Sequence, residues 1–171
     1  WPGIDAEGVL QLRTLDDAAA VERRLEAGAR RAVVVGAGYI GLECAASCSK
    51  LGLAVTVLEM ADRVMSRVVA AEMSGFYTAE HRSHGVDILL DQQVSAFQGD
   101  GRISAVCCAD GSVHPADLVI VGIGVTPNVE LAGGSGIVCD NGIAVDLHCR
   151  TSDPHVFAIG DCVSQTSLRY G

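Results

Sequence analysis

The chain has 171 residues, 49% of them hydrophobic, which is enough for one full core and too little for two domains of ordinary size. Twelve basic against twenty-one acidic side chains leave a net charge of −9, which speaks against nucleic acid or an anionic membrane as a partner. No run of eighteen apolar residues occurs, and the first residues lack a basic segment followed by an apolar one, so neither a membrane span nor a secretory signal is indicated and a soluble cytoplasmic protein is expected.

Residues 1–14 carry Pro2, Gly3 and Gly8 without an apolar period and are expected to form an incoming linker. From Thr14 the pattern becomes helical, with Asp16 and Asp17 in the first turn and Gly28 closing a helix over 15–27. The run Arg31–Val35 has the continuous β-branched character of a buried parallel strand. It is followed at once by Gly36-Ala37-Gly38-Tyr39-Ile40-Gly41 and a helix of small residues to about Leu51. Residues 54–59 form the next buried strand, at the interval of one βαβ unit. A polar helix follows over 70–84 and a short strand over 86–90. Three short strands over 94–98, 103–108 and 112–114, separated by Gly99-Asp100-Gly101 and Asp110-Gly111, predict an antiparallel meander. Residues 117–121 return to the buried parallel pattern and end in Gly122-Ile123-Gly124. Beyond Pro127 the chain is Gly-rich and irregular, with strands expected at 143–146 and 156–159. The domain is therefore expected to occupy residues 15–126, followed by a separate segment over 127–171.

The glycine turn stands where a dinucleotide fingerprint needs it, between a buried strand and a helix. Gly36 allows the sharp exit from the strand, Gly38 lets backbone approach a pyrophosphate, and Gly41 permits tight helix-on-strand packing. The helix starting near Tyr39 then aims its free N–H groups at the phosphates, so that an anion is held without Lys or Arg. Glu59 closes the second strand, 18 residues past Gly41. There an acid can accept hydrogen bonds from the adenosine ribose and repel a 2′-phosphate, which predicts NADH in preference to NADPH. Arg63 and Arg67 follow closely and read either as 2′-phosphate ligands or as solvated charge. Glu43, one turn into the helix, reads on its own as an exposed helix glutamate.

The chain resembles the NADH-binding part of the pyridine nucleotide–disulfide oxidoreductase flavoproteins, in the ferredoxin, rubredoxin and putidaredoxin reductase branch. The resemblance rests on residues 12–18 (LRTLDDA), 33–43 (VVVGAGYIGLE), 122–128 (GIGVTPN) and 151–162 (TSDPHVFAIGDC), and covers nearly the whole chain. It implies a Rossmann-like three-layer α/β fold of the FAD/NAD(P)-binding kind, with a central parallel sheet, a β-meander crossover and a C-terminal segment belonging to the flavin domain. It also implies that Gly36, Ala37, Gly38, Tyr39, Ile40 and Gly41 bind NADH pyrophosphate, that Glu43 lies near the nicotinamide carboxamide, and that Gly122, Ile123 and Gly124 line the nicotinamide side. Asp161 is expected to hydrogen-bond FAD. The implied activity passes a hydride from NADH to FAD and then single electrons to a ferredoxin or rubredoxin. The alternatives are a disulfide or peroxide reductase of the same superfamily and a non-catalytic NAD-binding module. Family members carry an earlier flavin-binding glycine turn and a later interface domain, so a fragment is expected, inactive alone and able to self-associate through its C-terminal segment.

Seven cysteines without a C-x-x-C pair read as reduced thiols. Cys44 and Cys48, four apart on the glycine helix, read as core packing. Cys107 and Cys108 point to opposite faces of a strand. His81 and His84 lack a third ligand, so no metal site is expected.

Overall fold

A computed structural model describes residues 1–167, which divide into two compact units, Trp1–Ile123 and the residues from Gly124 on. The break falls slightly earlier than the expected one after residue 126.

In the first unit the elements are, in chain order, β1 (Val9–Leu10), α1 (Leu15–Glu26), β2 (Arg31–Val35), α2 (Tyr39–Lys50), β3 (Ala54–Leu58), α3 (Ala71–Ser83), β4 (Val86–Leu89), β5 (Val94–Gln98), β6 (Ala105–Cys108), β7 (Val113–Pro115) and β8 (Leu118–Val121). A parallel five-stranded sheet has the order β1-β8-β2-β3-β4, and β5, β6 and β7 form the antiparallel meander. Because strand side chains alternate, β2 feeds two cores. Ala32 and Val34 join Leu42, Cys44 and Cys48 of α2 on the helical face, while Val33 and Val35 join Phe97 and Val106 on the meander face. A continuous β-branched run is what a strand covered on both faces requires. Each such valine or leucine, fully buried, contributes about 1.5–3 kcal/mol of apolar transfer free energy. The result is three layers: helices, parallel sheet and meander.

The expected linker over residues 1–14 is corrected by the structure. Val9 and Leu10 pair in parallel with Val119 and Ile120, so this segment supplies an edge strand of the sheet. Ahead of β1, Trp1 meets Phe97 edge to face at 5.7 Å, and the Phe97 N–H donates to Pro2 O at 2.9 Å. Arg24 of α1 is only 8% exposed and fastens the same segment, donating to Glu7 Oε1 at 2.8 Å and to Asp117 O at 2.8 Å. A two-residue strand has no visible alternation, and its partner lies more than a hundred residues later; composition alone reads it as loop. The helix α1 follows the expected rules, with Thr14 and Asp17 forming a capping box.

The second unit contains α4 (Glu130–Gly134) and a parallel pair, β9 (Ile143–Val145) with β10 (Val163–Gln165). The strand expected at 156–159 is not formed. Phe157 makes one isolated bridge to Arg150, and Ile159 is 74% exposed. The backbone here bonds locally instead: the Val156 N–H donates to Asp153 O at 3.1 Å, the Val156 carbonyl accepts the Thr151 N–H at 3.0 Å, and the Ala158 N–H donates to Cys149 O at 3.1 Å. Carboxylate-centred turns at Asp146 and Asp153 flank this stretch. Pairing with β9 passes instead to Val163–Gln165.

At the start of the parallel sheet Asp117 ties β8 to β2. Its carboxylate accepts the main-chain N–H groups of Arg30 and Arg31 at 3.1 and 3.0 Å and pairs with the Arg31 guanidinium, donor to oxygen 2.6 Å. The Arg31 hydrogen bond, joined by the two N–H groups and the Arg31 charge, lowers the Asp117 carboxyl from 3.8 to about 2 despite partial burial. A depressed folded-state value stabilises above the unfolded value, and the gain is lost as pH falls through the folded one. Asp117→Ala is expected to cost about 2 kcal/mol in urea unfolding at pH 7. The gap between parent and variant should close as the pH is taken from 4 towards 2.

Candidate dinucleotide site

The site begins where β2 ends. Gly36 leaves the strand with φ 98°, its N–H donating to Leu58 O at 2.8 Å. A Cβ at Gly36 would stand 2.5 Å from Gly122 O, and one at Gly41 would collide with the Gly36 carbonyl oxygen. Gly122 in turn donates its N–H to Val35 O at 2.8 Å. Three backbones thus converge with no side chain between them, and Gly36 and Gly41 are required by the protein's own packing. Gly38 differs: its φ is −79°, and a Cβ there would meet nothing within 4 Å. The space beside Gly38 is open.

Gly38 is also the N-cap of α2, where no side chain caps the helix and no acid lies in its first turn. By helix geometry the N–H groups of Tyr39 and Ile40 have no intrahelical acceptor. Both residues are exposed. The contrast with the capped, acidic start of α1 is chemical: α1 satisfies its own end, whereas α2 presents donors and a positive dipole end to whatever approaches Gly38.

Ala37 is buried and held from both sides. Its N–H donates to Glu59 Oε2 at 2.6 Å, and its carbonyl accepts the Met65 N–H at 2.9 Å. The second Glu59 oxygen, Oε1, accepts the Ala61 N–H at 2.8 Å. Glu59 itself is positioned by β3 and β4, since its N–H donates to Leu89 O at 2.9 Å. The sequence pointed to Ala37, Glu59 and the arginines of the loop over 60–70, but not to that loop's main-chain hold on the turn. Met65, buried with φ 52°, carried no signal, because neither its residue type nor its neighbours announce a left-handed turn.

The two arginines after β3 part company. The Arg63 guanidinium donates to Val69 O at 2.9 Å, Ser66 O at 2.7 Å and Ser74 Oγ at 2.8 Å, and so braces its own loop. Arg67 is exposed, as is Glu43 on α2, and Ile123 is 59% exposed beside half-buried Gly122. In the second unit Gly124 has φ 137°, and Asp161 is an exposed carboxylate after Gly160, φ 89°.

Cys44 and Cys48 lie in the helix-side core, where burial pushes both thiols up, Cys48 to about 11, so they are protonated packing groups at neutral pH. Cys108 is buried and Cys107 half-buried on opposite sides of β6. His81 turns Nδ1 to Tyr77 O at 2.9 Å and Nε2 to Leu42 O at 3.1 Å, bridging α3 to α2, whereas His84 is the C-cap of α3. Among the described residues no cluster of three or more His, Cys, Asp or Glu converges, and no helix is long and apolar enough to cross a membrane.

A parallel sheet, a glycine turn opening onto an uncapped helix and an acid at the end of the next strand together define a dinucleotide-binding α/β unit. The family model for pyridine nucleotide-disulphide oxidoreductases matches residues 1–170, and the chain belongs to that family. It is 48% identical over 162 residues to putidaredoxin reductase CamA of Pseudomonas putida, covering 93% of this chain and 38% of that protein. Its fold matches a ferredoxin reductase for the CYP199A2 system of Rhodopseudomonas palustris with TM-score 0.93 at 42% identity, covering 99% of this chain and 42% of that one. It also matches putidaredoxin reductase in covalent complex with putidaredoxin, TM-score 0.89 at 46% identity, over 98% and 40% of the two chains. The chain spans about two fifths of the length of these relatives.

The glycines separate packing from ligand space. Gly41→Ala is expected to lower unfolding stability by about 2–3 kcal/mol through backbone overpacking. Gly38→Ala should stay within about 1 kcal/mol of the parent, because its conformation and surroundings accept a methyl group. Thermal and urea unfolding of the two variants check the contrast.

Proposed function

We propose that the first unit binds NADH as part of a flavoprotein that passes reducing equivalents from NADH through FAD to a small iron–sulfur protein. The carrying observation is the uncapped start of α2 beside the open space at Gly38, with Glu59 at the end of the neighbouring strand. The N–H groups of Tyr39 and Ile40 hold the pyrophosphate, Gly38 allows its close approach, and the Glu59 carboxylate accepts the adenosine ribose hydroxyls. Gly122 and Ile123 line the path of the nicotinamide, and Glu43 meets its carboxamide. Asp161 fits a hydroxyl-bearing group: an exposed acceptor at a tight turn, offered to the flavin's ribityl or pyrophosphate region. When bound, the flavin supplies the chemistry that takes up a hydride and releases electrons one at a time. This chain's residues bind, orient and select. The reductase relatives, named for putidaredoxin and for the CYP199A2 system, support an iron–sulfur acceptor over disulfide or peroxide reduction.

Selection between coenzymes follows from charge. A 2′-phosphate ~4 Å from the Glu59 carboxylate is repelled by at most ~4 kcal/mol at an effective dielectric near 20, and about 1.4 kcal/mol already makes a tenfold preference. Arg63 is committed to Ser66 O, Val69 O and Ser74 Oγ and does not offset this repulsion, which leaves exposed Arg67 as the nearby cation that could reduce it. The intact protein is therefore expected to bind NADH at least about tenfold more tightly than NADPH in titration. Gly38→Ala should weaken NADH by a similar factor while leaving the fold intact. Rapid mixing with NADH should bleach the flavin, and the reduced protein should reduce an iron–sulfur protein faster than a disulfide. Equal affinities for the two coenzymes would sink the selection argument; preferential disulfide reduction would sink the acceptor assignment.

A further inference from the structure

The Glu59 carboxylate has more to do than meet a ribose. Both of its oxygens accept main-chain N–H groups within the protein: Oε2 from Ala37 at 2.6 Å and Oε1 from Ala61 at 2.8 Å. Ala37 is the middle residue of the first glycine pair, and its carbonyl is held by Met65 from the loop after β3. The turn that carries Gly38 is thus tied to the strand and loop beside it through one residue held at both its N–H and its carbonyl. One grip is a carboxylate, and charge-assisted hydrogen bonds of this kind are about twice as strong as neutral ones. The Ala37 N–H is also removed from the set that an incoming phosphate could use. The donors left to it are those further along the turn, at the start of α2.

We infer that Glu59 is a positioning residue for the glycine turn: by binding the Ala37 and Ala61 N–H groups it fixes the pyrophosphate-binding backbone before nucleotide arrives, independently of any contact with the ribose. The inference rests on the proposed NADH site and adds a second role to its acid. A carboxylate oxygen has two lone pairs, so each can accept one N–H and still accept a hydroxyl. The two roles therefore coexist on one side chain, and removing it costs affinity twice. Glutamine at this position is isosteric but has a single acceptor oxygen, so it can hold one of the two N–H groups and presents NH2 to the other. Aspartate keeps the charge but falls one methylene short. Loss of the charge narrows the preference for NADH, but it does not create a tight NADPH site, because the turn that must hold either pyrophosphate loosens at the same time and lowers both affinities.

The test is a cycle in the intact holoprotein, with NADH and with an NADH analogue whose adenosine ribose lacks both hydroxyls, each titrated against the parent and Glu59→Gln. A residue that acts only through the ribose leaves the analogue's affinity unchanged by the substitution. A positioning residue loses about five- to tenfold on the analogue and more on NADH, the size expected when a charged acceptor to buried backbone donors is removed. Glu59→Asp should fall between parent and Gln on the analogue. An arm without any variant uses amide hydrogen exchange of the nucleotide-free parent: the Ala37 and Ala61 amides should be protected while those of Tyr39 and Ile40 exchange freely. Equal affinity of the analogue for parent and Glu59→Gln, or unprotected Ala37 and Ala61 amides, overturns the positioning role while leaving the NADH site standing. Failure of the parent to bind NADH at all overturns the site and this inference with it.

Discussion

Main chain packs on main chain where β2, α2 and β8 meet, and the rest of the first unit is arranged around that contact. Gly36, Gly41 and Gly122 approach so closely that a methyl group at Gly36 or Gly41 would overlap a neighbouring carbonyl oxygen. Such an approach brings α2 down onto the end of β2 and aims its first turn past the edge of the sheet. It also holds β8 beside β2, in the register Ala32 to Leu118 through Val35 to Val121. The alternating valines of β2 then fill the two cores above and below. Packing energy is general here, whereas the location of the nucleotide end is set by three missing side chains.

Electrostatics follows the same economy. A chain with net charge −9 would be expected to hold an anion poorly, yet the proposed site uses no cationic side chain. The helix end supplies partial positive charge and oriented donors, and these cost no reorganisation because the backbone is already fixed. The nearest acid, Glu59, does not undo this. Its charge is spread over two N–H donors of the protein, so it faces the site as a structured acceptor.

Much of this was legible in the residues. The strands β2, β3 and β8 announce themselves as β-branched runs, the meander by its paired glycine and aspartate turns, and the glycine turn by its place between strand and helix. What could not be read depends on partners far away in the chain. Val9 and Leu10 become a strand only because β8 lies beside them, and the backbone of 156–158 bonds to residues 149, 151 and 153 while β9 pairs with Val163–Gln165. Arg63 read either as a 2′-phosphate ligand or as solvated charge, and is neither: its guanidinium binds Ser66 O, Val69 O and Ser74 Oγ. The acid role of Glu59 towards a ribose follows from position; its hold on Ala37 follows from main-chain geometry, which residue identity does not encode.

The doubly gripped Ala37 residue has an outcome for how such a protein tolerates genetic drift. Its two hydrogen bonds use main-chain groups, so what limits replacement there is the space around a fully buried methyl group and, for proline, the missing N–H. Systematic truncation of side chains to alanine would therefore cross this stretch almost silently, Ala37 being alanine already and Tyr39 and Ile40 contributing through their amides. What such a survey could register is matter added at Gly36, Gly38 or Gly41, or the carboxylate removed at Glu59. A site made this way hides from deletion and reveals itself to insertion.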